Sequence, residues 1–251
     1  MVTRTRHPRA ALVTGGSRGI GYAIAQRLAA DGFALTLCAR DRDRLESAAA
    51  ALRAEHGVEV HVHAADLSDP EGYVDIVAAH AEARGSLDAL VLNAGMGTVG
   101  PIADATGERL HKLMVVNAFS AIGLFRSALG MLRETAARNE EHGAKVIAVG
   151  SILGAHPHAQ LGAYAASKAA LVSLVKTLNL EHSGEGISST AILPAYVATD
   201  MTTWLGDSVP RNTMLSAAEI AGVASMLAAL SRRAVVDEIV IARAGTDGRI
   251  P

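Results

Sequence analysis

The sequence alternates along its whole length between two kinds of segment. Short apolar or β-branched runs are separated by longer stretches in which apolar residues recur at helical spacing. Such alternation indicates a parallel sheet, because parallel strands need crossover connections, which are usually helices. The predicted strands are Ala10–Thr14, Ala34–Ala39, Val58–His63, Ala89–Asn93, Lys145–Gly150, Ser188–Pro194 and Glu238–Ala242. The predicted helices are Ile20–Asp31, Asp41–His56, Asp69–Arg84, Thr106–Asn139, Ala159–Glu181 and Ser216–Leu230.

We therefore predict an α/β fold, with one doubly wound domain over residues 1–251 and a seven-stranded parallel sheet covered by helices on both faces. Several strands are continuously apolar, as expected when both faces of a sheet are buried. Hydrophobic residues make up 50% of the chain and charged residues 19%, which excludes a disordered chain. No linker or internal repeat suggests a second domain.

Charge and cysteine content exclude several classes of function. The net charge of −2 gives no global basic field of the kind that nucleic-acid binders use. Arg4, Arg6 and Arg9 are interpreted as a solvated terminus rather than a phosphate-binding arm. Cys38 is the only cysteine, which excludes a disulfide within the chain and a cysteine-rich metal site and favours a reducing cytoplasm. No uninterrupted apolar run approaches the ~18 residues of a membrane span, and the scattered histidines suggest no metal site.

Two predicted helical stretches are apolar nearly all round. These are Leu113–Leu132 and Leu161–Leu180. A helix that packs on a sheet needs only one apolar stripe, so additional apolar surface indicates a second packing partner. We therefore expect a homo-oligomer, either a dimer or a tetramer.

A glycine-rich loop follows the first predicted strand. It reads Thr14-Gly15-Gly16-Ser17-Arg18-Gly19-Ile20-Gly21 and leads directly into a helix. Glycines let the backbone approach a ligand closely, and the helix N-terminus offers N–H groups and partial positive charge. In a first strand–loop–helix unit, this arrangement predicts a pyrophosphate cradle. No Gly-Lys-Ser/Thr follows, so a nucleoside triphosphatase loop is disfavoured.

The end of the second strand bears on the choice of dinucleotide. An acidic residue there would bind the ribose 2′-hydroxyl of NAD, but Ala39 and Arg40 occupy this place. Arg18 and Arg40 together suit a 2′-phosphate, which favours NADP(H) over NAD(H). The alternative is that Arg40 is a solvated residue paired with Asp41 or Asp43.

Tyr164 and Lys168 are four residues apart, on one face of a predicted helix. A phenol with a pKa near ~10 is a poor acid–base group at neutral pH, and a shift of three units requires about 4 kcal/mol. One ammonium group about 4 Å away supplies that energy at an effective dielectric constant near 20. We therefore expect Lys168 to lower the pKa of Tyr164. The alternative is a surface lysine beside a tyrosine at the edge of the core.

Other polar residues follow the predicted strands or interrupt an apolar helix. Ser151 lies 13 residues before Tyr164, and Asn117 interrupts an apolar helix as either a locally satisfied core residue or a water-holding group. Asn93-Ala94-Gly95 and Asp66-Leu67 follow two further strands. Parallel sheets bind ligands outside the carboxyl ends of their strands, where most of these residues lie.

With these motifs in family order, the chain resembles the short-chain dehydrogenase/reductase family over essentially its full length. The resemblance implies a Rossmann-type fold and an NAD(P)-linked oxidoreductase that acts on a small-molecule carbonyl or alcohol; with the NADP(H) preference above, we expect an NADPH-dependent ketone or aldehyde reductase. It implies that Tyr164 donates a proton to the carbonyl oxygen, that Ser151 polarises this oxygen and that Asn117 anchors a water. It further implies that Lys168 holds the nicotinamide ribose.

The same resemblance extends to the cofactor groove. It implies that Asp66, with Leu67, contacts adenine, and that Asn93, Ala94 and Gly95 line the groove. Pro194, Val197 and Thr199 match the segment that holds the nicotinamide carboxamide.

The chain departs from the family pattern at two places. Ala195 replaces a usual glycine, which we expect to reshape the backbone near the nicotinamide slightly. The usual Asp-Gly-Gly near the C-terminus is absent, and the segment from Asp237 to Arg243 instead resembles that of broad-range carbonyl reductases and hydroxy-acid or serine dehydrogenases of the family. This weakens the hypothesis of a fatty-acid-synthesis ketoreductase.

The stretch Ala195–Ser216 is long for a loop, and the resemblance makes it a substrate lid. It contains Met201, Trp204 and Met214, an adaptable apolar set. His156 and His158 are either exposed loop residues, which is favoured, or contacts for an anionic substrate.

Two functional alternatives stay open. One is a catalytically silent NADP-binding sensor or scaffold of the same fold, against which the complete Asn117, Ser151, Tyr164 and Lys168 set argues. The other is an epimerase or dehydratase of the extended family, which usually has a longer chain and different glycine spacing.

Overall fold

A computed structural model describes residues 8–247. Seven parallel strands form one sheet in the order β3-β2-β1-β4-β5-β6-β7, which confirms the predicted fold class. The strands are β1 (Ala10–Thr14), β2 (Ala34–Ala39), β3 (Val60–Ala64), β4 (Ala89–Leu92), β5 (Ala144–Val149), β6 (Ile187–Pro194) and β7 (Glu238–Ile241). The α-helices are α1 (Gly19–Ala30), α2 (Arg42–His56), α3 (Gly72–Arg84), α4 (Gly107–Met114), α5 (Ser120–Arg138), α6 (Gly162–His182) and α7 (Ala217–Ala229).

The central strands are buried on both faces. Neighbouring residues of β1 illustrate this, because Leu12 belongs to one apolar cluster and Val13 to the other. Successive side chains of a strand point to opposite faces, so an unbroken apolar run supplies both cores. One cluster includes residues of α1, α2 and α7, and the other includes residues of α3, α5 and α6. The helices therefore cover both faces of the sheet.

The predicted helix Thr106–Asn139 is not a continuous α-helix. It consists of α4, a π-helical turn at Val115–Phe119 and α5. The combined segment Gly107–Arg138 is long and apolar enough to cross a membrane by length and composition, although it contains no uninterrupted apolar run of that length. Half of its most apolar 18-residue window is buried against the rest of the protein. We therefore interpret it as a core helix of the fold.

The strand at one edge of the sheet, β3, is partly covered by an arginine. Arg53 of α2 donates from Nε to the carbonyl oxygen of Val60 at 3.1 Å, and its Nη2 reaches the same oxygen. This oxygen faces away from β2, because β2 pairs with the neighbouring residues of β3. The guanidinium therefore occupies a main-chain acceptor that an edge strand would otherwise expose.

The basic N-terminal residues fall partly within the described chain. Arg9 stacks over the ring of Phe33 at 4.2 Å and donates from Nη1 to the carbonyl oxygen of Ala228 at 3.0 Å. Arg9 precedes β1 and thus lies at the opposite end of this strand from the glycine loop. Arg4 and Arg6 lie outside the described residues.

Candidate active site

The glycine loop joins β1 to α1 at the carboxyl edge of the sheet. Gly15 and Gly19 have φ values of +65° and +58°, which side chains disfavour. A Cβ atom at Gly21 would overlap both the side-chain amide of Asn93 and the carbonyl oxygen of Gly15. The glycines therefore allow a tight loop packed directly on the next strand, while Ile20 packs against the core.

Thr14 and Asn93 hold this loop in place. The Thr14 hydroxyl donates to the carbonyl oxygen of Val91 at 3.1 Å and accepts from the main-chain nitrogens of Asn93 and Ala94 at 3.0 and 3.1 Å. The Asn93 amide donates to the carbonyl oxygen of Thr14 at 2.9 Å. Thr14 was not among the residues predicted for the site, although a buried threonine at the end of a strand needs a hydrogen-bond partner and could have been noticed.

The beginning of α1 is suited to an anion. Arg18 is the N-cap residue with extended backbone, and its side chain does not cap the helix. The first turn of α1 contains no acidic residue. The dipole and the N–H groups of this helix end are therefore directed at the glycine loop without a competing carboxylate from the first turn.

The adenosine end of the predicted groove contains Asp66 and Arg40. Hydrogen bonds from the main chain and hydroxyl of Ser68 lower the pKa of Asp66, and the positive charges of Arg40 and Lys112 act in the same direction. Leu67 is buried, and its carbonyl oxygen accepts from the Tyr73 hydroxyl at 2.9 Å.

Arg40 is exposed and forms no ion pair within residues 8–247. Asp41 instead caps α2 and pairs with Arg44 at 3.7 Å. This geometry does not support the alternative in which Asp41 or Asp43 neutralises Arg40.

Tyr164 and Lys168 lie on the same face of α6. The Lys168 ammonium is 5.8 Å from the centre of the Tyr164 ring and donates to the carbonyl oxygen of Val149 at 2.9 Å. Ser151 follows β5 and is buried; its Oγ accepts from the main-chain nitrogen of Leu153 at 3.2 Å, and it lies near enough to Tyr164 to oppose the rise in the Tyr164 pKa. The structure thus brings together the predicted serine, tyrosine and lysine.

The expected lowering of the Tyr164 pKa is wrong. Burial raises the pKa of Tyr164 to about 12, and the opposing effect of the Ser151 hydrogen bond is smaller. Burial also lowers the pKa of Lys168 to about 8. The loss of hydration on burial is the largest effect on the Tyr164 pKa, and the Lys168 ammonium donates its hydrogen bond to the carbonyl oxygen of Val149.

Asn117 lies in the π-helical turn and is buried. Its Oδ1 accepts from the main chain of Met96 at 2.8 Å, and its Nδ2 donates to the Met96 carbonyl oxygen and the Ser167 hydroxyl, both at 2.9 Å. Its amide is therefore satisfied locally. A Cβ at Gly95 would lie 3.2 Å from Asn117 Oδ1 and 3.4 Å from Lys168 Nζ. A glycine therefore avoids crowding at the junction where Gly95, Asn117 and Lys168 meet.

The segment after β6 faces the glycine loop. Pro194 ends β6, and Ala195 donates its N–H to the carbonyl oxygen of Ile241 at 2.9 Å. The Thr199 side chain would lie 3.5 Å from a Cβ at Gly19. The Ala195 side chain is buried in the core, and Val197 forms a bridge to Leu215.

The predicted lid contains two 3₁₀-helical stretches, Asp200–Ser208 and Arg211–Thr213. Trp204 is 50% exposed and contacts the Tyr196 ring edge-on, with centroids 6.3 Å apart. Met201 is also exposed, whereas Met214 is partly buried. His158 is exposed and its Nδ1 lies 2.9 Å from the carbonyl oxygen of Ala159; His156 is partly exposed.

The chain as a whole is similar to known proteins in sequence and in structure. A family model described as short chain dehydrogenase matches residues 9–209. The 3-oxoacyl-[acyl-carrier-protein] reductase MabA of Mycobacterium tuberculosis is 32% identical over 228 residues, which cover 88% of this chain and 85% of MabA.

Two solved structures show the same fold and different cofactors. The alcohol dehydrogenase of the archaeon Thermococcus sibiricus, complexed with 5-hydroxy-NADP, superposes with a TM-score of 0.84 at 31% identity, covering 94% of this chain and 97% of that one. A 3-oxoacyl-[acyl-carrier protein] reductase of Brucella melitensis in complex with NAD gives a TM-score of 0.81 at 29% identity, covering 90% and 91%.

Proposed function

We propose, from the premise that this chain belongs to the short-chain dehydrogenase/reductase family of oxidoreductases, that it is an NADPH-dependent reductase of small-molecule ketones or aldehydes. The observation that carries the proposal is the Ser151–Tyr164–Lys168 group, which stands at the same sheet edge as the glycine loop. We also propose that residues 1–251 form one domain.

The groove has the chemistry that a dinucleotide requires. The glycines at positions 15 and 21 let the loop pack directly against Asn93 and Ala94, and this loop leads into the N-terminus of α1, which has no acidic residue in its first turn. The site residues proposed for this cofactor are Gly15, Ser17, Arg18, Gly19, Ile20, Gly21, Arg40, Asp66, Leu67, Asn93, Ala94, Gly95, Tyr164, Lys168, Pro194, Val197 and Thr199. When bound, the nicotinamide supplies or accepts a hydride.

Tyr164 is the proposed proton donor. With its pKa raised to about 12, the phenol keeps its proton at neutral pH, which is the form that carbonyl reduction requires. Ser151 donates a hydrogen bond to the carbonyl oxygen of the substrate and stabilises the negative charge that develops there. Lys168 holds the nicotinamide ribose, and its positive charge lowers the cost of the tyrosinate left after proton transfer.

Asn117 has a positioning role in this proposal. Its side chain links Met96 to Ser167 and so fixes the junction beside Gly95 and Lys168. We propose that a water anchored near this junction returns a proton to Tyr164 between turnovers.

The proposed preference for NADP(H) depends on the positive charge of Arg40, at the end of the groove where the adenosine would bind. Arg40 is exposed and unpaired within residues 8–247, so its guanidinium is available to a 2′-phosphate. Related structures contain both NADP and NAD, so the preference for NADP(H) is part of the proposal.

The proposed substrate is a carbonyl compound with an apolar body. Exposed Met201 and Trp204 give the lid an apolar surface. Relatives named as 3-oxoacyl-[acyl-carrier-protein] reductases make β-keto thioesters a second candidate class, against which the C-terminal segment from Asp237 to Arg243 argues.

We also propose a cytoplasmic homodimer or homotetramer. Apolar side chains of the α5 and α6 region, including Ile122 and Leu180, are exposed in the single chain. No nucleic-acid or membrane partner is part of this proposal.

The decisive experiment compares the wild type with Tyr164→Phe in an NADPH-oxidation screen over ketones, β-keto esters, quinones and sugars. We expect the variant to lose about 10²- to 10⁴-fold in kcat, because it lacks the acidic proton, and to retain NADPH binding. Equal turnover by both proteins would contradict the assignment of Tyr164. NADPH binding without turnover of any substrate would favour the sensor or scaffold alternative.

A further inference from the structure

Arg18, in the glycine loop, forms an ion pair with a residue of the predicted lid. Its Nη1 lies 2.6 Å from Oδ2 of Asp200, although the two residues are 182 positions apart in the chain. Their side chains are 58% and 70% exposed, so neither is held in place by burial. The contact joins the two sides of the proposed cofactor groove.

The backbone of each residue in this ion pair is positioned by the helical element next to it. Arg18 is the N-cap residue of α1, and Asp200 begins the first 3₁₀-helical stretch of the lid. The neighbouring residues also meet, because the Thr199 side chain lies close to Gly19. The Asp200 carboxylate therefore stands near the positive end of α1, where a dinucleotide phosphate would also be attracted.

Arg18 thus has two possible anionic partners. Its Nη1 contacts Asp200 in the structure, and Arg18 is also one of the two arginines proposed for the 2′-phosphate of NADP(H). A carboxylate and a phosphate both favour direct, often bidentate, contacts with the guanidinium plane, so the two anions compete for it. NAD(H) lacks the 2′-phosphate and does not compete in this way.

We propose that Asp200 is a specificity-determining residue, which restrains the preference for NADP(H) by holding Arg18 toward the lid. This inference rests on the proposed function, because it assumes that Arg18 serves the 2′-phosphate. Binding of NADP(H) releases the Arg18–Asp200 contact, and binding of NAD(H) leaves it in place.

The test is the substitution Asp200→Asn, with Asp207→Asn as its matched control. Asp207 is an exposed acidic residue of the same 3₁₀-helical stretch and has no ion pair with Arg18. Dissociation constants for NADPH and NADH are measured by nicotinamide fluorescence, and those for 2′,5′-ADP and 5′-AMP by calorimetry.

We expect Asp200→Asn to increase the NADPH-over-NADH affinity ratio by about two- to fivefold, the range set by an exposed ion pair. The ratio of the affinity for 2′,5′-ADP to that for 5′-AMP should increase in the same way, and Asp207→Asn should change neither affinity ratio. The effect should shrink at high salt. An unchanged ratio in Asp200→Asn, or an equal change in Asp207→Asn, would overturn the proposal.

A double-mutant cycle with Arg18→Gln separates this inference from the proposed function. In the Arg18→Gln background, Asp200→Asn should no longer alter the ratio, and a persisting effect would show that Asp200 acts without Arg18. Wild-type protein that binds NADPH no better than NADH would contradict the cofactor proposal. Binding of 2′,5′-ADP and 5′-AMP requires no turnover, so the test can be carried out even if no substrate is found. If Asp200→Asn folds poorly, Asp200→Ser provides a second variant for the same measurement.

Discussion

At the scale of single residues, burial has a large effect on the pKa values of both Tyr164 and Lys168. The four-residue spacing of Tyr164 and Lys168 places them on one helical face. The direction of their pKa shifts depends on burial, which the spacing does not specify: burial raises the pKa of Tyr164 to about 12 and lowers that of Lys168 to about 8. The Arg18–Asp200 contact was likewise beyond local patterns, because it joins distant parts of the chain.

A second buried lysine lies away from the proposed active site. Lys145, the second residue of β5, donates to the Ser188 hydroxyl at 3.0 Å and to the Ser231 carbonyl oxygen at 3.2 Å, both uncharged partners. Burial lowers its pKa from 10.5 to about 8. The unfolded chain therefore binds more protons between these two pKa values, so this residue destabilises the fold fully below pH 8 and ceases to do so above pH 10.5.

We predict that Lys145→Met raises the free energy of unfolding by about 1–3 kcal/mol at pH 7, a gain partly offset by the two lost hydrogen bonds. The gain should decrease as the pH rises from 8 toward 10, and activity should persist. Urea unfolding at both ends of this range measures the effect. Lys176→Met, which removes an exposed lysine paired with Glu238, is the control and should show no such gain. A gain for Lys145→Met that is independent of pH would argue against a charged Lys145 in the folded state.

At the scale of elements, apolar periodicity predicted the number and order of the strands and the positions of the helical stretches between them. The bounds of β1 and β2 agree with prediction, whereas β3 begins two residues later than expected. The break between α4 and α5 was not predicted, because the segment is apolar throughout and the π-helical turn accompanies contacts of Asn117 with Met96 and Ser167. Such contacts are tertiary and leave no local periodic signal.

The glycine loop gives a prediction at this scale. Gly21→Ala should abolish binding of NADPH and NADH alike, because the new methyl group would overlap Asn93 and Gly15 and force the loop off β4. Gly222→Ala is the matched control, since its methyl group would meet no atom within 4 Å inside α7. Fluorescence titration with both nucleotides checks the prediction. Normal binding by Gly21→Ala would show that the loop accommodates a side chain and that the cradle is wrongly assigned.

At the scale of the whole molecule, helices that pack on the sheet also expose apolar side chains to solvent. Leu180, near the end of α6, is 89% exposed in the single chain. The sequence indicated excess apolar surface, because two predicted helices are apolar nearly all round. It did not specify which of their side chains remain exposed in the single chain.

We predict that Leu180→Lys weakens assembly, because a charge would be buried without a partner in an apolar interface. Sedimentation velocity at micromolar concentration should show a shift from dimer or tetramer toward monomer. Val74→Lys, a similar change at an exposed apolar residue of α3, serves as the control and should leave the assembly intact. A monomeric wild type would contradict the proposed oligomer.

The arginine that caps the β3 edge has a consequence for how copies of this chain can associate. Because Arg53 already occupies the outward carbonyl of Val60, another strand cannot add there without first displacing a charged group. Growth of the sheet from molecule to molecule would need both of its edges, and one of them is blocked. We therefore expect assemblies of this protein to stop at a finite number of subunits instead of extending into filaments.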